Sequence, residues 1–286
     1  MTDSKSIGFS IVIVNYNMAK YLDDALTSII LQQYGPKQII VIDGGSTDSS
    51  LDIIKKHSSD IDYWISEPDK GQSDAFNKGF QKAKYDWLFW LNADDFLTAN
   101  ALSHINDLMK KALTKEPERK WFCFDSLMSN EQGVCTRALY GANWNWILNH
   151  LGPLVHSATT IFHRELFEKS AKFDLKLYWS MDLDLWVQFF KLGYTYKTIH
   201  TFAYVIRTNE QSKTFSNGLK YNPSDERKRQ SAYMWEKNHF KPDLKYLPLW
   251  RIFKAFTILL PNIFYNWSYK GKKLIWWDAH QQINKR

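Results

Sequence analysis

The sequence contains very little cysteine, since Cys123 and Cys135 are the only two among its 286 residues. Two thiols cannot build a framework of several disulfides, and no cysteine or histidine spacing supplies the four ligands of a structural zinc site. The signatures of serine hydrolases, P-loop nucleotide hydrolases and zinc deaminases are also missing. We therefore expect a protein of a reducing compartment whose chemistry relies on none of these motifs.

Long apolar runs are missing as well. The N-terminal stretch MTDSKSIGFSIVIVNYN passes from polar residues into a short apolar run and lacks the long apolar region of a secretory signal, so we expect a cytoplasmic protein. A composition of 44% hydrophobic and 23% charged residues excludes disordered and fibrous classes. Aromatic residues reach 16%, which is more ring surface than a core needs and predicts stacking sites or an interface.

The chain has no excess of negative charge, because Lys and Arg outnumber Asp and Glu by 37 to 30. This surplus lies in residues 241–286, where basic residues are interleaved with Trp, Tyr and Phe. Such a segment is typical of a surface that lies in the headgroup layer of an anionic membrane. Arg251, Lys254 and Pro261 interrupt its apolar stretch, which is therefore too short to span a bilayer. The alternative is a C-terminal helix pair that packs on the rest of the chain.

Short apolar runs alternate with amphipathic stretches through the first half of the chain. Runs such as IVIV and IIVI lack polar alternation, which is typical of parallel strands covered by helices on both faces. The pattern predicts strands at 9–14, 38–42, 62–66 and 86–91, and helices at 19–33, from 47, at 71–84 and from 99. We expect an α/β fold with a Rossmann-like, mostly parallel sheet flanked by helices over residues 1–240, followed by an amphipathic helical tail over 241–286.

The segment IDGGSTDSS, residues 42–50, follows a predicted strand and opens a predicted helix, with Ser46 or Thr47 as its N-cap. Its two glycines let the backbone approach a ligand, and Asp43 at the end of the strand can accept hydrogen bonds from a base or a sugar. The other interpretation is a tight strand-to-helix turn with an ordinary cap.

A second polar cluster, Asn92, Ala93, Asp94 and Asp95, ends a predicted buried strand. Ligands of α/β proteins bind at the carboxyl edge of the sheet, and a divalent cation relieves the repulsion between adjacent carboxylates and can hold a diphosphate. The alternative is that one of the acids caps the helix that begins near Ala99.

The segment SMDLDLW, residues 180–186, predicts the first turn of a helix with Ser180 near its cap. Asp182 and Asp184 are two positions apart and point in different directions on a helix, so at most one of them serves a catalytic site. Both acids can also simply complement the helix dipole. The histidines at 156, 163 and 200 show no spacing typical of a metal site.

Taken in order, five segments of the chain resemble the family 2 glycosyltransferases of the GT-A fold: SIVIVNYN, IDGGSTDSS, EPDKGQSDAFNKGF, FWLNADD and SMDLDLW. Together they are far more specific than any one alone, and they cover about residues 9–215. Members of this family act in bacterial capsule, O-antigen and exopolysaccharide assembly.

The resemblance implies a role for each residue that matches a family motif. The base and ribose of a nucleotide would contact Val14, Asn15, Tyr16, Asn17 and Asp43. The sugar and ribose side of the cleft would be lined by Lys70, Gly71, Asp74 and Asn77. The acidic DxD motif of the family appears as Asn92, Ala93 and Asp94, in which Asp94 would bind Mn²⁺ or Mg²⁺ and Asn92 replaces an acid.

The catalytic base of the family corresponds to Asp182, although Met181 stands where an acid usually precedes it. Arg207 would lie near the diphosphate, and Asn209 replaces the histidine that follows this arginine in the family. The implied reaction is a single, inverting displacement in which Asp182 takes the proton of the acceptor hydroxyl and the cation neutralises the leaving nucleoside diphosphate.

The partners implied by the resemblance are a nucleotide-diphosphate sugar and a glycan or lipid-linked glycan acceptor, on the inner face of the cytoplasmic membrane. Two other classes stay open. A non-catalytic sugar-nucleotide or glycan-binding protein would share the fold without turnover. A nucleic-acid binder would use the basic tail, but the neutral remainder of the chain argues against it, so we expect no nucleic-acid partner.

Overall fold

The computed structural model describes residues 6–139, 141, 159–210, 225–239 and 271–272. In the first part, strands alternate with helices: β1 (Phe9–Asn15), α1 (Ala19–Ile30), β2 (Lys37–Asp43), α2 (Ser50–Lys56), β3 (Tyr63–Ser66), α3 (Gln72–Gln81), β4 (Trp87–Asn92), β5 (Phe96–Leu97) and α4 (Ala101–Lys115). The later elements are β6 (Trp121–Ser129), β7 (Cys135–Leu139), β8 (Thr160–His163), α5 (Arg164–Lys169), α6 (Met181–Lys191), β9 (Lys197–Arg207) and α7 (Asp225–Lys237).

The described strands form a nine-stranded sheet in the order β3-β2-β1-β4-β8-β6-β9-β5, with β7 paired to β6. Strands β1 to β4 are parallel to one another, as the unbroken apolar runs predict. Strand β8 runs antiparallel to β4 and β6, and β5 and β7 are antiparallel to their partners, whereas β6 and β9 are parallel. The fold is therefore α/β with helices on both faces, and its sheet is parallel in the first half and mixed in the second.

Side chains of β1 alternate between two separate cores. Ile11 and Ile13 belong to the core that includes residues of α1 and α4, whereas Val12 and Val14 belong to the core that includes residues of α3 and α6. Because both faces of the sheet are covered, the strand needs apolar residues at consecutive positions, and all seven residues of β1 are buried.

The core on the α3 and α6 side contains much of the described aromatic surface. Trp186 stacks on Trp90 and on Trp121, with ring centroids 5.5 and 5.3 Å apart. Phe162 and Phe189 pack against Trp186, and all of these rings are buried. Rings in this core are not the ligand-stacking sites or the interface that the composition predicts. They serve packing instead.

Helix α2 begins later than the sequence predicts. Its first residue is Ser50 and its N-cap is Ser49, so the expected N-cap at Ser46 or Thr47 is wrong. The physical reason is that Ser46 and Thr47 are used by the loop after β1: the Ser46 hydroxyl accepts a hydrogen bond from the Asn17 N–H, and the Thr47 N–H donates to the Asn17 side chain.

The predicted tail, residues 241–286, lies outside the described residues except for Gly271 and Lys272. These two residues pair with the start of β7: the Gly271 N–H donates to the Cys135 carbonyl oxygen at 2.8 Å, and the Cys135 N–H donates to the Lys272 carbonyl oxygen at 2.9 Å. Within the described ranges, no helix is both long and apolar enough to cross a membrane. The domain boundary near residue 240 stays a prediction, and His156 also lies outside the described residues.

Candidate active site

The carboxyl ends of β1, β2 and β4 bring three of the predicted motifs to one edge of the sheet. In the parallel register, Asn15 pairs with Asp43 and Val14 pairs with Asn92. Because parallel strands end at the same edge, the loops that follow them form adjoining walls of a single site. Val14 and Ala93 are buried there, so their side chains support the site and do not face solvent.

Asp43 is fully buried at the end of β2. Its Oδ1 accepts hydrogen bonds from Asn15 Nδ2 at 2.6 Å and Ser46 Oγ at 2.5 Å, and its Oδ2 accepts from the Ser46 N–H at 3.0 Å and Ser66 Oγ at 2.6 Å. Burial opposes ionisation, but these hydrogen bonds outweigh it and lower the pKa of Asp43. The carboxylate holds the loops after β1, β2 and β3 together. Its contact with a base or ribose stays a prediction.

The loop after β1 is fixed by Asn17, which has a left-handed backbone with a φ of 52°. Its N–H donates to Ser46 Oγ, and its Oδ1 accepts from the Thr47 N–H, both at 2.8 Å. These bonds hold the loop after β1 against the loop after β2. Tyr16, immediately before Asn17, is 62% exposed and presents its ring to solvent at this edge.

The predicted sugar-side residues lie at the start of α3, but they face different ways. Lys70 is exposed, and its N–H donates to Asp74 Oδ2 at 3.1 Å. Gly71 has a φ of 98°, which favours glycine. Asn77 turns inward, because its amide donates to the Phe173 carbonyl oxygen at 2.9 Å and accepts from the Phe173 N–H at 3.0 Å. Asn77 therefore joins α3 to the loop before α6.

Asp95 is a buried structural carboxylate. Its Oδ2 accepts hydrogen bonds from Asn92 Nδ2 and from the Tyr204 hydroxyl, both at 2.8 Å, and its Oδ1 accepts from the Arg207 N–H at 2.9 Å. Burial, followed by the charge of Asp94, raises the pKa of Asp95. Asp95 thus ties the end of β4 to β9, and Asn92 is bonded to Asp95.

Asp94 is half-buried, in contrast to its neighbour Asp95. Its Oδ2 accepts a hydrogen bond from Asn209 Nδ2 at 2.9 Å, so the residue that replaces the expected histidine still contacts this carboxylate. Burial raises the pKa of Asp94, and the Asn209 bond and the charge of Arg207 offset this only in part. Helix α4 has Asn100 at its N-cap, so the helix-capping interpretation of the two acids is wrong.

Arg207 has a buried side chain that is only 1% exposed. Its Nη2 lies 2.8 Å from Asp24 Oδ2, and its guanidinium lies over the rings of Tyr21 and Phe96, at 5.2 and 5.1 Å from their centroids. The charge of Arg207 acts on Asp94 from inside the protein and offsets part of the rise that burial causes in the pKa of that carboxyl. Direct contact between Arg207 and a diphosphate stays a prediction.

Helix α6 begins at Met181 with Ser180 at its N-cap, as SMDLDLW predicts. Asp182 is half-buried in the first turn, whereas Asp184 is fully buried and points into the protein. Three side chains donate hydrogen bonds to Asp184: Gln188, Lys237 and Asn238. The two acids therefore differ as their spacing predicts, and Asp182 is the one that is not used for packing.

The start of α6 packs on the start of α3. Ser73 Oγ donates to the Leu177 carbonyl oxygen at 3.1 Å and lies 3.3 Å from Met181 Sδ. Asp182 directly follows Met181, so the backbone of the predicted base lies near the start of α3.

Two residues that organise the site have no counterpart in the sequence analysis. Ser66 holds Asp43 from 23 positions away, and Tyr204 holds Asp95 from 109 positions away. No local spacing links such pairs. The available signal concerns Ser66 alone, which ends β3 at an edge where polar side chains are expected to meet, whereas Tyr204 lies within β9 and gives no such signal.

The described side chains at this edge offer few ligands to a divalent cation. Within the described ranges, no three His, Cys, Asp or Glu side chains are grouped so that they could hold a metal ion. Asp95 uses both oxygens inside the protein, so Asp94 is the carboxylate of this pair that remains for a cation. Mg²⁺ typically binds through one or two carboxylates, water and substrate phosphates. The donor set fits a cation shared with a diphosphate.

The layered mixed sheet with polar strand ends at one edge is the architecture of GT-A-like glycosyltransferases. TarS of Staphylococcus aureus, residues 1–349, solved in complex with UDP-GlcNAc, superposes with a TM-score of 0.58. The match covers 81% of this chain and 66% of that chain at 16% identity, and it shows a shared fold.

Residues 10–114 match the family model described as glycosyl transferase family 2. This segment contains four of the five motifs, and its match supports the resemblance of these residues to the family 2 glycosyltransferases, while SMDLDLW lies outside the matched range. An uncharacterised glycosyltransferase of Rickettsia prowazekii is 29% identical over 193 residues, which cover 65% of this chain and 60% of that protein. The poly-beta-1,6-N-acetyl-D-glucosamine synthase of Staphylococcus epidermidis is 27% identical over 183 residues, which cover 62% and 43%. The chain thus spans less than two thirds of either relative.

Proposed function

We propose that the protein is a metal-dependent, inverting glycosyltransferase that moves a sugar from a nucleoside diphosphate sugar to a hydroxyl of a glycan during surface polysaccharide synthesis. The observation that carries the proposal is the contrast between two adjacent carboxylates, since Asp95 is used to hold the site while Asp94 stays half-buried at the sheet edge. The family of residues 10–114 and a related polysaccharide synthase support the reaction class.

The donor would lie along the carboxyl edge of the sheet, with its nucleoside against the loops after β1, β2 and β3. In this proposal these loops are shaped by Val14, Asn15, Asn17 and Asp43. The sugar side is formed by Lys70, Gly71 and Asp74, and Asn77 supports it by holding α3 to the loop before α6. Asp94 would hold a Mn²⁺ or Mg²⁺ ion, which neutralises the charge that develops on the leaving diphosphate. Asn92 and Ala93 precede Asp94 at the end of β4, with Asn92 bonded to Asp95, and Arg207 adds positive charge from inside the protein.

Asp182 would act as the general base. The acceptor hydroxyl attacks the anomeric carbon on the face opposite the diphosphate, and its proton passes to the Asp182 carboxylate as the bond to the leaving oxygen breaks. One displacement inverts the anomeric centre and requires no covalent sugar on the enzyme. Two observations support this role: Asp182 is half-buried in the first turn of α6, and the preceding residue, Met181, contacts Ser73 of α3.

A panel of UDP, GDP, CDP and dTDP sugars with Mn²⁺ tests the reaction class. We expect one donor class to raise the melting temperature, because a ligand that binds the folded state stabilises it. The same donor should release its nucleoside diphosphate slowly by hydrolysis, and Mg²⁺ or Mn²⁺ should be required. Binding without any release of diphosphate, with every acceptor tried, would indicate the alternative class, a non-catalytic sugar-nucleotide or glycan-binding protein.

We further propose that the acceptor is lipid-linked and that residues 241–286 hold the enzyme on the inner face of the cytoplasmic membrane. Changing Lys270, Lys272 and Lys273 to Glu in the full chain should weaken co-sedimentation with anionic vesicles by about 100-fold, since each basic residue near such a surface contributes about 1 kcal/mol. Changing the exposed Lys55, Lys111 and Lys115 to Glu, on α2 and α4, is the matched control. Equal binding by the two triple variants would contradict the membrane assignment.

A further inference from the structure

The loop after β3 places a carboxylate over the glycine that follows Asp43. A Cβ atom built on Gly44 would lie 2.7 Å from Asp69 Oδ2 and 3.1 Å from Asp69 Cγ. The φ of Gly44 is not positive, so its backbone conformation does not require glycine. A side chain at position 44 would instead displace the Asp69 carboxylate, which occupies that space.

The neighbouring contacts hold this arrangement in place. The Glu67 N–H donates to the Asp43 carbonyl oxygen at 3.0 Å, so the loop that carries Asp69 is joined to the end of β2. Gly45 has a φ of 79°, and a Cβ atom there would lie 3.1 Å from the Pro68 backbone nitrogen. The two loops therefore approach each other closely at both glycines.

A hydrogen bond to one of its two oxygens orients the carboxylate of Asp69. Its Oδ1 accepts a hydrogen bond from the Gly71 N–H at 2.7 Å, and the side chain is half-buried. Within the described part of the chain, Oδ2 accepts no hydrogen bond of its own and is directed toward Gly44. An oriented carboxylate with an unused oxygen at the edge of an α/β sheet is suited to accept hydrogen bonds from a nucleoside.

Asp43, the acid that the resemblance assigns to the nucleotide, differs from Asp69 because both of its oxygens are already used. It is fully buried, and its two oxygens accept four hydrogen bonds from protein groups. A nucleoside could reach this carboxylate only after some of those bonds were broken, and that would also release the loops after β1 and β3.

We propose that Asp69, and not Asp43, is the carboxylate that contacts the nucleoside of the donor, accepting hydrogen bonds from its ribose hydroxyls or from an N–H of its base. This inference rests on the proposed function, because it assumes that a nucleoside diphosphate binds at this edge. Gly44 and Asp69 then act as a pair, in which the missing side chain of one leaves room for the carboxylate of the other.

Isothermal titration calorimetry with nucleoside diphosphates and Mn²⁺ tests the pair. Asp69→Asn should weaken binding of the preferred nucleoside diphosphate by about 10- to 100-fold, the effect of losing a hydrogen bond to a charged group. Gly44→Ala should weaken it to a similar extent, because the new methyl group displaces the Asp69 carboxylate. The double variant should bind no more weakly than the weaker single variant, since both changes remove the same contact. Asp60→Asn, at an exposed position before β3, is the control and should bind like the wild type.

The ligand panel separates the two kinds of donor group. If Asp69 accepts from the ribose, Asp69→Asn should change the affinity for 2′-deoxynucleotides much less than for ribonucleotides. If it accepts from a base N–H, the variant should lose discrimination between UDP, which has an imide N–H, and CDP, which does not. Unchanged affinity of correctly folded Asp69→Asn for every nucleotide that the wild type binds would overturn the inference and leave the proposed function standing. A wild-type protein that binds no nucleoside diphosphate would refute both.

Discussion

Replacing Asp182 with Asn should slow sugar transfer by about 100- to 10,000-fold, the range expected when a general base is removed. Asparagine keeps the size of the side chain and can still accept the hydrogen bond that the Leu183 N–H donates to Asp182 Oδ1. It cannot take a proton from the acceptor hydroxyl. The turnover number should therefore fall while donor affinity, measured by calorimetry, stays close to that of the wild type.

The neighbouring acid of α6 provides a contrast to Asp182. Asp184→Asn should lower the melting temperature, because it removes the buried charge that the half-buried Lys237 and the buried Asn238 contact at 3.0 and 2.7 Å. Glu168→Gln, an exposed change on α5, is the control for a neutralised carboxylate and should alter neither property. If Asp182→Asn transfers sugar at the wild-type rate, the base lies elsewhere and the proposed mechanism is wrong.

Replacing Asp94 with Asn should lower transfer on the order of 100-fold at a fixed, moderate Mn²⁺ concentration, because the proposed cation would lose the Asp94 carboxylate as a ligand and would offset the leaving diphosphate less well. The amide can still accept the hydrogen bond from Asn209, so the fold should be retained. Raising the Mn²⁺ concentration should restore part of the activity. Initial rates at increasing concentrations of Mn²⁺ measure both effects.

The matched variant for Asp94 is Asp95→Asn. This carboxylate accepts from Asn92, Tyr204 and the Arg207 N–H, so its neutralisation should act mainly on stability, by weakening the attachment of β4 to β9. We expect a lower melting temperature and little change in the concentration of Mn²⁺ that gives half-maximal activity. A larger shift of that concentration in Asp95→Asn than in Asp94→Asn would mean that the two roles are exchanged.

The sequence predicts the sheet and its functional edge because local patterns determine them. Consecutive apolar residues in β1 and β2 indicate strands buried on both faces, and the structure shows them parallel and in register. Parallel strands end together, so the polar residues that follow them must meet. The apolar pattern therefore places Asp43 and Asn92 at the ends of strands, whereas the role of Asn15 follows only from the resemblance to family 2 glycosyltransferases.

Which acid of an adjacent pair serves the site and which holds the fold could be determined only from the structure. Asp94 and Asp95 are adjacent in sequence, yet the contacts that distinguish them come from Tyr204 and Asn209 on and just after β9. The contact between Asp69 and Gly44 also joins separate loops. Such contacts depend on tertiary packing, which motif spacing does not encode, and the same limit explains the misplaced start of α2.

Titration of Mn²⁺ by electron paramagnetic resonance, with and without the preferred nucleoside diphosphate, tests the central claim most directly because it does not depend on turnover. If Asp94 shares a cation with the diphosphate, the wild type should bind Mn²⁺ much more tightly when the nucleotide is present, and Asp94→Asn should lose most of that gain. Equal Mn²⁺ affinity of the wild type and Asp94→Asn in the presence of nucleotide would contradict the account.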